Sequence, residues 1–383
     1  MNAPLKVAFL GARHPHIFPR LTLCLAAPGV RVVGVYDTDP QLAAQIGEKY
    51  GVPVAQTVDD LFREGMCDLV IIEGHDPENP SYVQQALGRT RSLLIEKPGA
   101  ANLADMEQMV GMIEGAGVHA QLGYMYNYSP VVPKVEAILK SGVLGPLTLA
   151  RFHAGSPVGG AAEIWQSVPG DMGGVLYTDG CHMLALVVRL LGAPRSAVGR
   201  ILKIQDGPEV EADIYKEDTL AGLGGENRLR LGEQLYEDAG AAILEYDNML
   251  ATFDVTGWEA HNWVEAWSLE FFGTDGTLQV SLVPPRYRLW IRRVSDTYTK
   301  GWHTWEGTGA ASGAGASLVV DENYRNEMAD LLANLREGSG PDYRALQEGL
   351  QVIRITDAIY RTASDAQGHR GAEASGSEEE KEG

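Results

Sequence analysis

The sequence predicts a two-domain protein of the α/β class. A doubly wound parallel sheet is followed by an α+β domain with a large, mostly antiparallel open sheet. Two observations support this prediction. Strand and helix signals alternate over residues 1–124, whereas longer strand-like segments dominate after Pro130. A chain of 383 residues is also long enough for two domains of ordinary size, each with its own core.

In the first domain, short apolar runs predict buried parallel strands. These runs are Lys6–Leu10, Arg31–Tyr36, Leu69–Ile72, Ser92–Ile95 and Ala120–Tyr124. Asp39 predicts a helix N-cap, Pro40 the first helical position and Gly51 the residue past the end. Thr57 and Asp60 predict another helix start that resembles a capping box. Helices alternating with parallel strands indicate a domain of the Rossmann type.

The second domain is predicted to span residues 125–364, with a mostly antiparallel sheet. Its predicted strands are Leu147–Phe152, Ala241–Tyr246, Leu250–Val255, Ser268–Phe272 and Thr277–Leu282. Its predicted helices are Val131–Ser141, Glu322–Glu337 and Tyr343–Ala363. The turn Gly273–Gly276 predicts a hairpin. The Gly307–Ala316 segment is expected to be a flexible loop, and the acidic residues 365–383 a disordered tail.

Composition argues against several classes of partner. The net charge of −20 produces a surface that repels nucleic acid and anionic membranes. No apolar stretch approaches the roughly 20 residues that span a bilayer. The amino terminus runs directly into a strand without the pattern of a signal peptide. Three scattered cysteines lack a metal-binding spacing. We therefore expect a cytoplasmic protein with reduced cysteines.

Two distant segments suggest a catalytic site. Glu96, Lys97 and Pro98 follow a predicted buried strand, and ligands of open α/β sheets bind beyond the carboxyl ends of such strands. The glycine-rich segment Gly173–His182 leads into an apolar helix. Histidine suits the removal of a hydroxyl proton because its ordinary pKa lies near neutrality. Taken separately, a histidine that heads an apolar helix is more often structural, and lysines after strands are common on surfaces.

A third segment, Gly11-Ala12-Arg13-His14-Pro15-His16, stands where a dinucleotide-binding domain normally carries G-x-G-x-x-G. The first glycine is present, but Arg13 and His16 replace the second and third. Two interpretations remain open. The loop can hold a pyrophosphate through backbone amides, including that of Ala12, with positive charge added by Arg13 or His14. Alternatively, it has been remodelled and binds a nucleotide weakly or not at all.

Asp37 ends the second predicted strand, after the glycine turn. A carboxylate at this place accepts hydrogen bonds from the adenosine ribose and repels a 2′-phosphate. Asp37 therefore favours NAD over NADP. The alternative is that Asp37 only stabilises the turn before Asp39 and Pro40.

Together these segments resemble the Gfo/Idh/MocA family of nicotinamide-dependent sugar and cyclitol oxidoreductases, from Val7 to about Ala363. Further matching segments are Leu122–Tyr124, Tyr128–Pro130, Ser141–Pro146, Leu191–Pro194 and Phe272–Leu278. The resemblance implies an NAD-dependent oxidoreductase that moves a hydride between nicotinamide and a secondary alcohol or ketone of a sugar, cyclitol or glycoside. It implies that Lys97 positions the reacting hydroxyl and that His182 is the base. It also implies that Glu96 and Lys97 lie near the nicotinamide ribose, with His75 among the cofactor residues, and that the protein is a homodimer or homotetramer.

The sequence departs from the family pattern at several positions. The family's aspartate four residues before the histidine falls on Thr178, while Asp179 lies only three residues before it. Ala185 replaces an acid, and Asn127 replaces an arginine. A changed substrate or reaction is therefore plausible. Two alternatives also stay open, namely a scaffold or regulatory subunit without activity, and an enzyme that holds its NAD tightly and recycles it.

Substrate contacts are expected from Tyr124, Trp165, His153 and Glu163, which the resemblance places around the cleft. Aromatic platforms with hydrogen-bonding groups suit the faces and edges of sugars. Each of these residues taken singly is more often an ordinary packing or surface residue. No metal site is expected, because His153, Glu163 and His182 lack a recognisable ligand spacing.

Overall fold

The protein is described by a computed structural model. It covers residues 3–155, 169–203, 209–211, 228–230, 235–258, 267–307, 322–338 and 340–379. Within these ranges the chain forms a five-stranded sheet, an eight-stranded sheet and a two-stranded ribbon. The predicted fold class, a parallel α/β domain followed by an α+β domain with a large open sheet, is confirmed. Most of the expected loop Gly307–Ala316 lies outside the described residues.

The first domain alternates strands and helices along the chain. Its elements are β1 (Leu5–Leu10), α1 (Ile17–Ala26), β2 (Val30–Tyr36), α2 (Pro40–Tyr50), α3 (Val58–Leu61), β3 (Leu69–Ile72), α4 (Asn79–Ala86), β4 (Ser92–Ile95), α5 (Leu103–Ala116) and β5 (His119–Leu122). The strands are all parallel, in the order β2-β1-β3-β4-β5. The chain passes from β1 to β2 on one side and then continues with β3 on the other side of β1. This change of direction creates a crevice beyond the carboxyl ends of β1 and β3.

Local signals explain the helix boundaries. Asp39 accepts hydrogen bonds from two backbone amides of α2, and Gly51 ends that helix in the left-handed conformation with φ of 67°. Thr57 and Asp60 form the predicted capping box, although α3 is only four residues long. The fifth strand ends at Leu122, two residues earlier than predicted.

The second domain is built around the eight-stranded sheet. Its first elements are a 3₁₀ helix (Met125–Tyr128), α6 (Val132–Lys140), β6 (Leu147–Gly155), α7 (Val175–Thr178), α8 (Gly180–Leu191), β7 (Ser196–Leu202), β8 (Glu209–Glu211) and β9 (Arg228–Arg230). The later elements are β10 (Ala239–Glu245), β11 (Leu250–Thr256), β12 (Trp267–Gly273), β13 (Gly276–Leu282), β14 (Pro285–Ile291), β15 (Gly301–Glu306), α9 (Glu322–Glu337) and α10 (Arg344–Glu379).

The large sheet has the order β15-β14-β13-β12-β6-β11-β10-β7, and only its β6–β11 pair is parallel. Phe152, Phe253 and Phe271 point from one face into the core, where α8 packs. The first nine residues of α8 are all buried. Residues at the amino-terminal end of α8 are thereby held inside the molecule.

The two carboxyl-terminal helices pack back on the first domain. Met328 and Leu331 of α9 share an apolar cluster with Ile17 and Leu21 of α1. The backbone of α10 continues to Glu379, which differs from the expected tail at 365–383. None of the described helices is both long and apolar enough to cross a bilayer.

Candidate active site

The candidate site lies at the carboxyl ends of the strands of the five-stranded sheet. The loops that follow β1 and β3 touch there. Gly11 has φ of 81°, and a Cβ atom built on it would lie 2.5 Å from the backbone nitrogen of Gly74. Any side chain at Gly11 would therefore force these loops apart. The close approach closes the bottom of the crevice at the point where strand order reverses.

Lys97 connects the two domains. Its side chain is almost completely buried, and Nζ donates a hydrogen bond of 2.6 Å to the backbone carbonyl of Thr178, at the end of α7. The Thr178 hydroxyl is used elsewhere, because it donates to the carbonyl of Gly174 at 3.0 Å. Beside Lys97 is a small space of about 10 Å³, which is room for about one water molecule. Its lining residues are His14, Gly74, His75, Asp76, Lys97, Pro98 and Thr178.

His182 occupies an aromatic surrounding in the first turn of α8. The rings of Tyr124, Tyr126, Trp267 and His16 lie 5.3–6.1 Å from its ring. Burial, together with the nearby charge of Lys97, holds the pKa of His182 well below its usual value. The imidazole is therefore neutral at neutral pH and is a weaker base than an exposed imidazole. Its Nδ1 atom makes no hydrogen bond to any described residue.

A carboxyl group stands near Lys97 although Thr178 offers none. Asp76 follows β3 and lines the same small space as Lys97. Burial and the neighbouring Asp171 raise the pKa of Asp76, while Lys97 lowers it. Burial raises the pKa of Asp171 to about 7, and neither of its carboxyl oxygens has a hydrogen-bond partner in the described structure. Asp179 is also buried, and its backbone carbonyl accepts from the His182 amide at 3.1 Å.

The unpaired Asp171 carboxyl gives a prediction for stability. The pKa of Asp171 is about 7 in the folded protein, above the ordinary value of 3.8. The protonated carboxyl therefore contributes its full stability below pH 3.8. That stability is lost progressively as the pH rises from 3.8 toward 7. Asparagine carries no charge, so Asp171→Asn should not lose this stability. We expect its free energy of unfolding, relative to that of the wild type, to rise by up to about 1.4 kcal/mol per pH unit in this window. Urea unfolding at pH 5 and pH 8 measures the gain, with the exposed Asp296→Asn as control. An equal effect of the two variants would contradict the prediction.

Arg20 organises a second buried group of charges behind Lys97. Its Nη1 donates to Glu73 Oε1 at 2.8 Å and also to Glu96 Oε2, and its Nε donates to Glu327 Oε2 at 3.1 Å. All four side chains are completely buried. Burial by itself would raise the pKa of Glu96, but His14, Arg20 and Lys97 together lower it. Glu96 is therefore a carboxylate in the folded protein.

Sequence reasoning missed Arg20, Glu73 and Glu327 as members of one cluster. Glu73 follows an apolar strand directly and Arg20 interrupts an apolar helix, so each stood out as a charge in a buried segment. Nothing local indicated that they meet Glu327, which lies more than 300 residues after Arg20.

The adenosine end of the crevice suits NAD. Asp37 Oδ2 accepts from the backbone amide of Ala12 and Oδ1 from that of Asp39, both at 2.7 Å. Oδ1 also accepts from the Thr38 hydroxyl at 3.5 Å, whereas Oδ2 keeps a second lone pair for a ribose hydroxyl. The loop amides are mostly occupied, since Ala12 donates to Asp37 and His14 donates to the carbonyl of Glu73 at 3.0 Å. The partly exposed Arg13 guanidinium lies 3.5 Å from Asp37.

The other predicted residues lie in different places. His75 and His14 line the small space at Lys97, whereas His16 and Glu96 are buried beneath it. Tyr124 contacts His182. His153 points to the sheet face opposite the core and pairs with Asp254 at 2.5 Å, so it is not brought to Lys97. Trp165 and Glu163 lie outside the described residues.

Comparison with known proteins identifies the family. The profile described as "Oxidoreductase family, NAD-binding Rossmann fold" matches residues 6–124, and the profile for the family's C-terminal alpha/beta domain matches residues 136–370. An inositol 2-dehydrogenase of Rubrobacter xylanophilus is 32% identical over 134 residues, which are 34% of this chain and 38% of that protein. A trans-1,2-dihydrobenzene-1,2-diol dehydrogenase of Mus musculus is 25% identical over 45% of this chain and 52% of its own length. These matches therefore span about half or less of the curated relatives.

Solved structures match over nearly the whole chain. An oxidoreductase from Agrobacterium radiobacter, in complex with NAD+, L-tartaric acid and magnesium, has a TM-score of 0.76 at 17% identity, covering 95% of this chain and 97% of that one. A levoglucosan dehydrogenase with NADH and levoglucosan has a TM-score of 0.74 at 16% identity, covering 94% and 98%. At these identities the likeness concerns the fold. Two family profiles, which together match most of the chain, show that it belongs to the Gfo/Idh/MocA family of oxidoreductases, whose first domain is an NAD-binding Rossmann fold.

Proposed function

We propose that this protein is an NAD-dependent dehydrogenase or reductase acting on a CH–OH group of a sugar, a cyclitol or a similar polyhydroxylated compound. The observation that carries the proposal is the meeting of the Lys97 ammonium with the segment leading to His182, at the carboxyl edge of a dinucleotide-binding sheet. The names of the relatives support the substrate class, since they include an inositol dehydrogenase and a levoglucosan dehydrogenase.

Lys97 orients the reacting oxygen in this proposal. Its ammonium has three donors, and the Thr178 carbonyl uses one of them. In the proposed complex the ammonium also donates to a substrate hydroxyl or carbonyl oxygen. In a buried site such hydrogen bonds stabilise developing negative charge on oxygen more strongly than they would in water.

His182 and Asp76 provide two places for a proton. The neutral imidazole of His182 accepts the hydroxyl proton when an alcohol is oxidised. Asp76, with its raised pKa, exchanges protons beside Lys97 and replaces the carboxyl group that Thr178 lacks. Bound NAD supplies the hydride acceptor.

The choice of dinucleotide rests on Asp37. We expect Asp37→Ala to weaken NAD binding and to relax discrimination against NADP, because the ribose acceptor and the negative charge are both removed. Titration of the variant with each dinucleotide, followed by intrinsic fluorescence, measures the ratio of the two Kd values. Exposed Asp296→Ala is the control. An unchanged ratio would remove Asp37 from the cofactor site.

A second candidate function is that of a family member without activity. It is favoured by the internal use of the loop amides at Ala12 and His14 and by the small space at Lys97. Thermal unfolding with and without NAD separates the two functions, because a ligand of the folded state raises the melting temperature. Turnover with a panel of inositols, sugars and glycosides then tests the enzyme directly. A protein that neither binds NAD nor turns over would contradict the dehydrogenase proposal.

A further inference from the structure

A cluster of side chains joins the loop that stands in place of the usual glycines to the end of β4. His14, His16 and Glu96 are all buried, and one nitrogen or oxygen of each lies within 4.8 Å of the others. His16 Nδ1 is 3.0 Å from Glu96 Oε1, and His14 Nε2 is 3.6 Å from that same oxygen. Ligands about 2.0–2.1 Å from a tetrahedral metal ion are separated by about 3.3 Å. The two measured separations lie on either side of this value.

We propose that His14, His16 and Glu96 bind a divalent transition-metal ion. Two imidazoles and one carboxylate are a donor set suited to Zn²⁺, Fe²⁺ and related ions rather than to Mg²⁺ or Ca²⁺, which prefer oxygen ligands. Three protein ligands also leave at least one coordination position open. The site adjoins the dehydrogenase site proposed above, because His14 also lines the space at Lys97.

Glu96 is held in the orientation that such a ligand needs. Its Oε2 accepts from Arg20, and Arg20 is fixed in turn by Glu73 and Glu327. The other oxygen, Oε1, faces the two imidazoles and makes no hydrogen bond to any described residue. His16 Nδ1 is likewise buried without a hydrogen bond. Metal-binding carboxylates are commonly oriented by a second hydrogen-bonding residue in this way.

Charge near the cluster does not by itself require a cation. Burial raises the pKa of Glu73 to about 8 and that of Asp171 to about 7, and the pKa of Asp76 is raised as well, so protons offset much of the buried carboxyl charge. The nearby ammonium of Lys97 opposes a metal ion. The placement of the three ligand atoms, and not the local charge, favours a metal ion here.

Metal binding should also change the protonation of His14. Its Nδ1 accepts a hydrogen bond of 3.3 Å from the His16 backbone amide, which puts the ring proton of the neutral imidazole on Nε2. Coordination through Nε2 would displace that proton to Nδ1 and end this hydrogen bond. Nitrogen-15 chemical shifts of the histidine rings report such a change of tautomer.

The test uses the full chain, stripped with a chelator and titrated with Zn²⁺ or Co²⁺ at pH 7.5. We expect one equivalent of metal by elemental analysis, and visible Co²⁺ absorption of a nitrogen- and oxygen-ligated ion. His14→Gln and His16→Gln should each weaken binding at least about tenfold. His119→Gln is the matched control, since His119 is a partly buried histidine of β5 outside the cluster.

Wild-type protein that is folded by circular dichroism but takes up no stoichiometric metal would overturn the proposal, and this outcome does not depend on any variant folding. Equal affinity of wild type and both folded variants would overturn it as well. NAD binding is measured on the same samples. If the protein binds the metal but does not bind NAD, that result would contradict the dehydrogenase proposal and support the metal site.

Discussion

Replacing Lys97 with Met is expected to reduce kcat by about 10²- to 10⁴-fold while the protein stays folded. The substitution keeps most of the buried volume and removes only the ammonium, so it deletes the donors that would hold the substrate oxygen. The Thr178 carbonyl also loses its 2.6 Å hydrogen bond, which costs about 1–3 kcal/mol of stability. Steady-state kinetics with NAD and the preferred substrate give kcat and KM separately, and urea unfolding gives the stability.

A matched control separates the chemical role from the structural one. Lys6 also donates from Nζ to a backbone carbonyl, that of Glu64, at 2.9 Å, but it lies on the surface away from the crevice. Lys6→Met therefore removes the same type of hydrogen bond and should leave kcat unchanged. If Lys97→Met kept more than about a tenth of wild-type kcat, Lys97 would have no part in stabilising the reacting oxygen.

Much of the fold follows from local patterns. Every strand of the first sheet was predicted within two residues, because a buried parallel strand is a short apolar run bounded by polar residues. β14 was missed since Pro285–Ile291 begins with proline and contains two arginines, which are atypical of strands. The tail at 365–383 was predicted from its acidic, low-complexity composition, whereas the backbone of α10 runs to Glu379.

The candidate site was only partly predictable, for a physical reason. Lys97 was recognisable because it directly follows a strand end, where position in the sheet is set by local sequence. Asp76 was not, because its approach to Lys97 depends on how two loops pack. His14 and His16 were noticed because their loop stands where the glycine motif is expected, whereas their meeting with Glu96 joins segments 80 or more residues apart. Such contacts are fixed by tertiary packing and leave no periodic signal.

Arg20→Met is expected to have the largest effect on stability, a loss of about 3–5 kcal/mol, because it leaves three buried carboxyl groups without their shared cation. The loss should shrink as the pH falls. Without Arg20, the folded-state pKa of Glu96 rises, and that of Glu73, already raised to about 8 in the wild type, rises further. The variant therefore binds protons that the wild type does not and gains relative stability in acid. Urea unfolding at pH 5 and pH 8 measures both effects.

Arg31→Met is the control for that experiment. Arg31 pairs with Glu64 on the surface, where both side chains are well exposed, so its loss should cost no more than about 1 kcal/mol at either pH. The double variant Arg20→Met, Glu327→Gln lacks one of the carboxylates that Arg20 pairs with, so it should recover part of the stability at pH 8. Glu327→Gln by itself leaves Arg20 with fewer acceptors and should destabilise the protein. A double variant as unstable as Arg20→Met would show that lost packing, and not uncompensated charge, is the source of the effect.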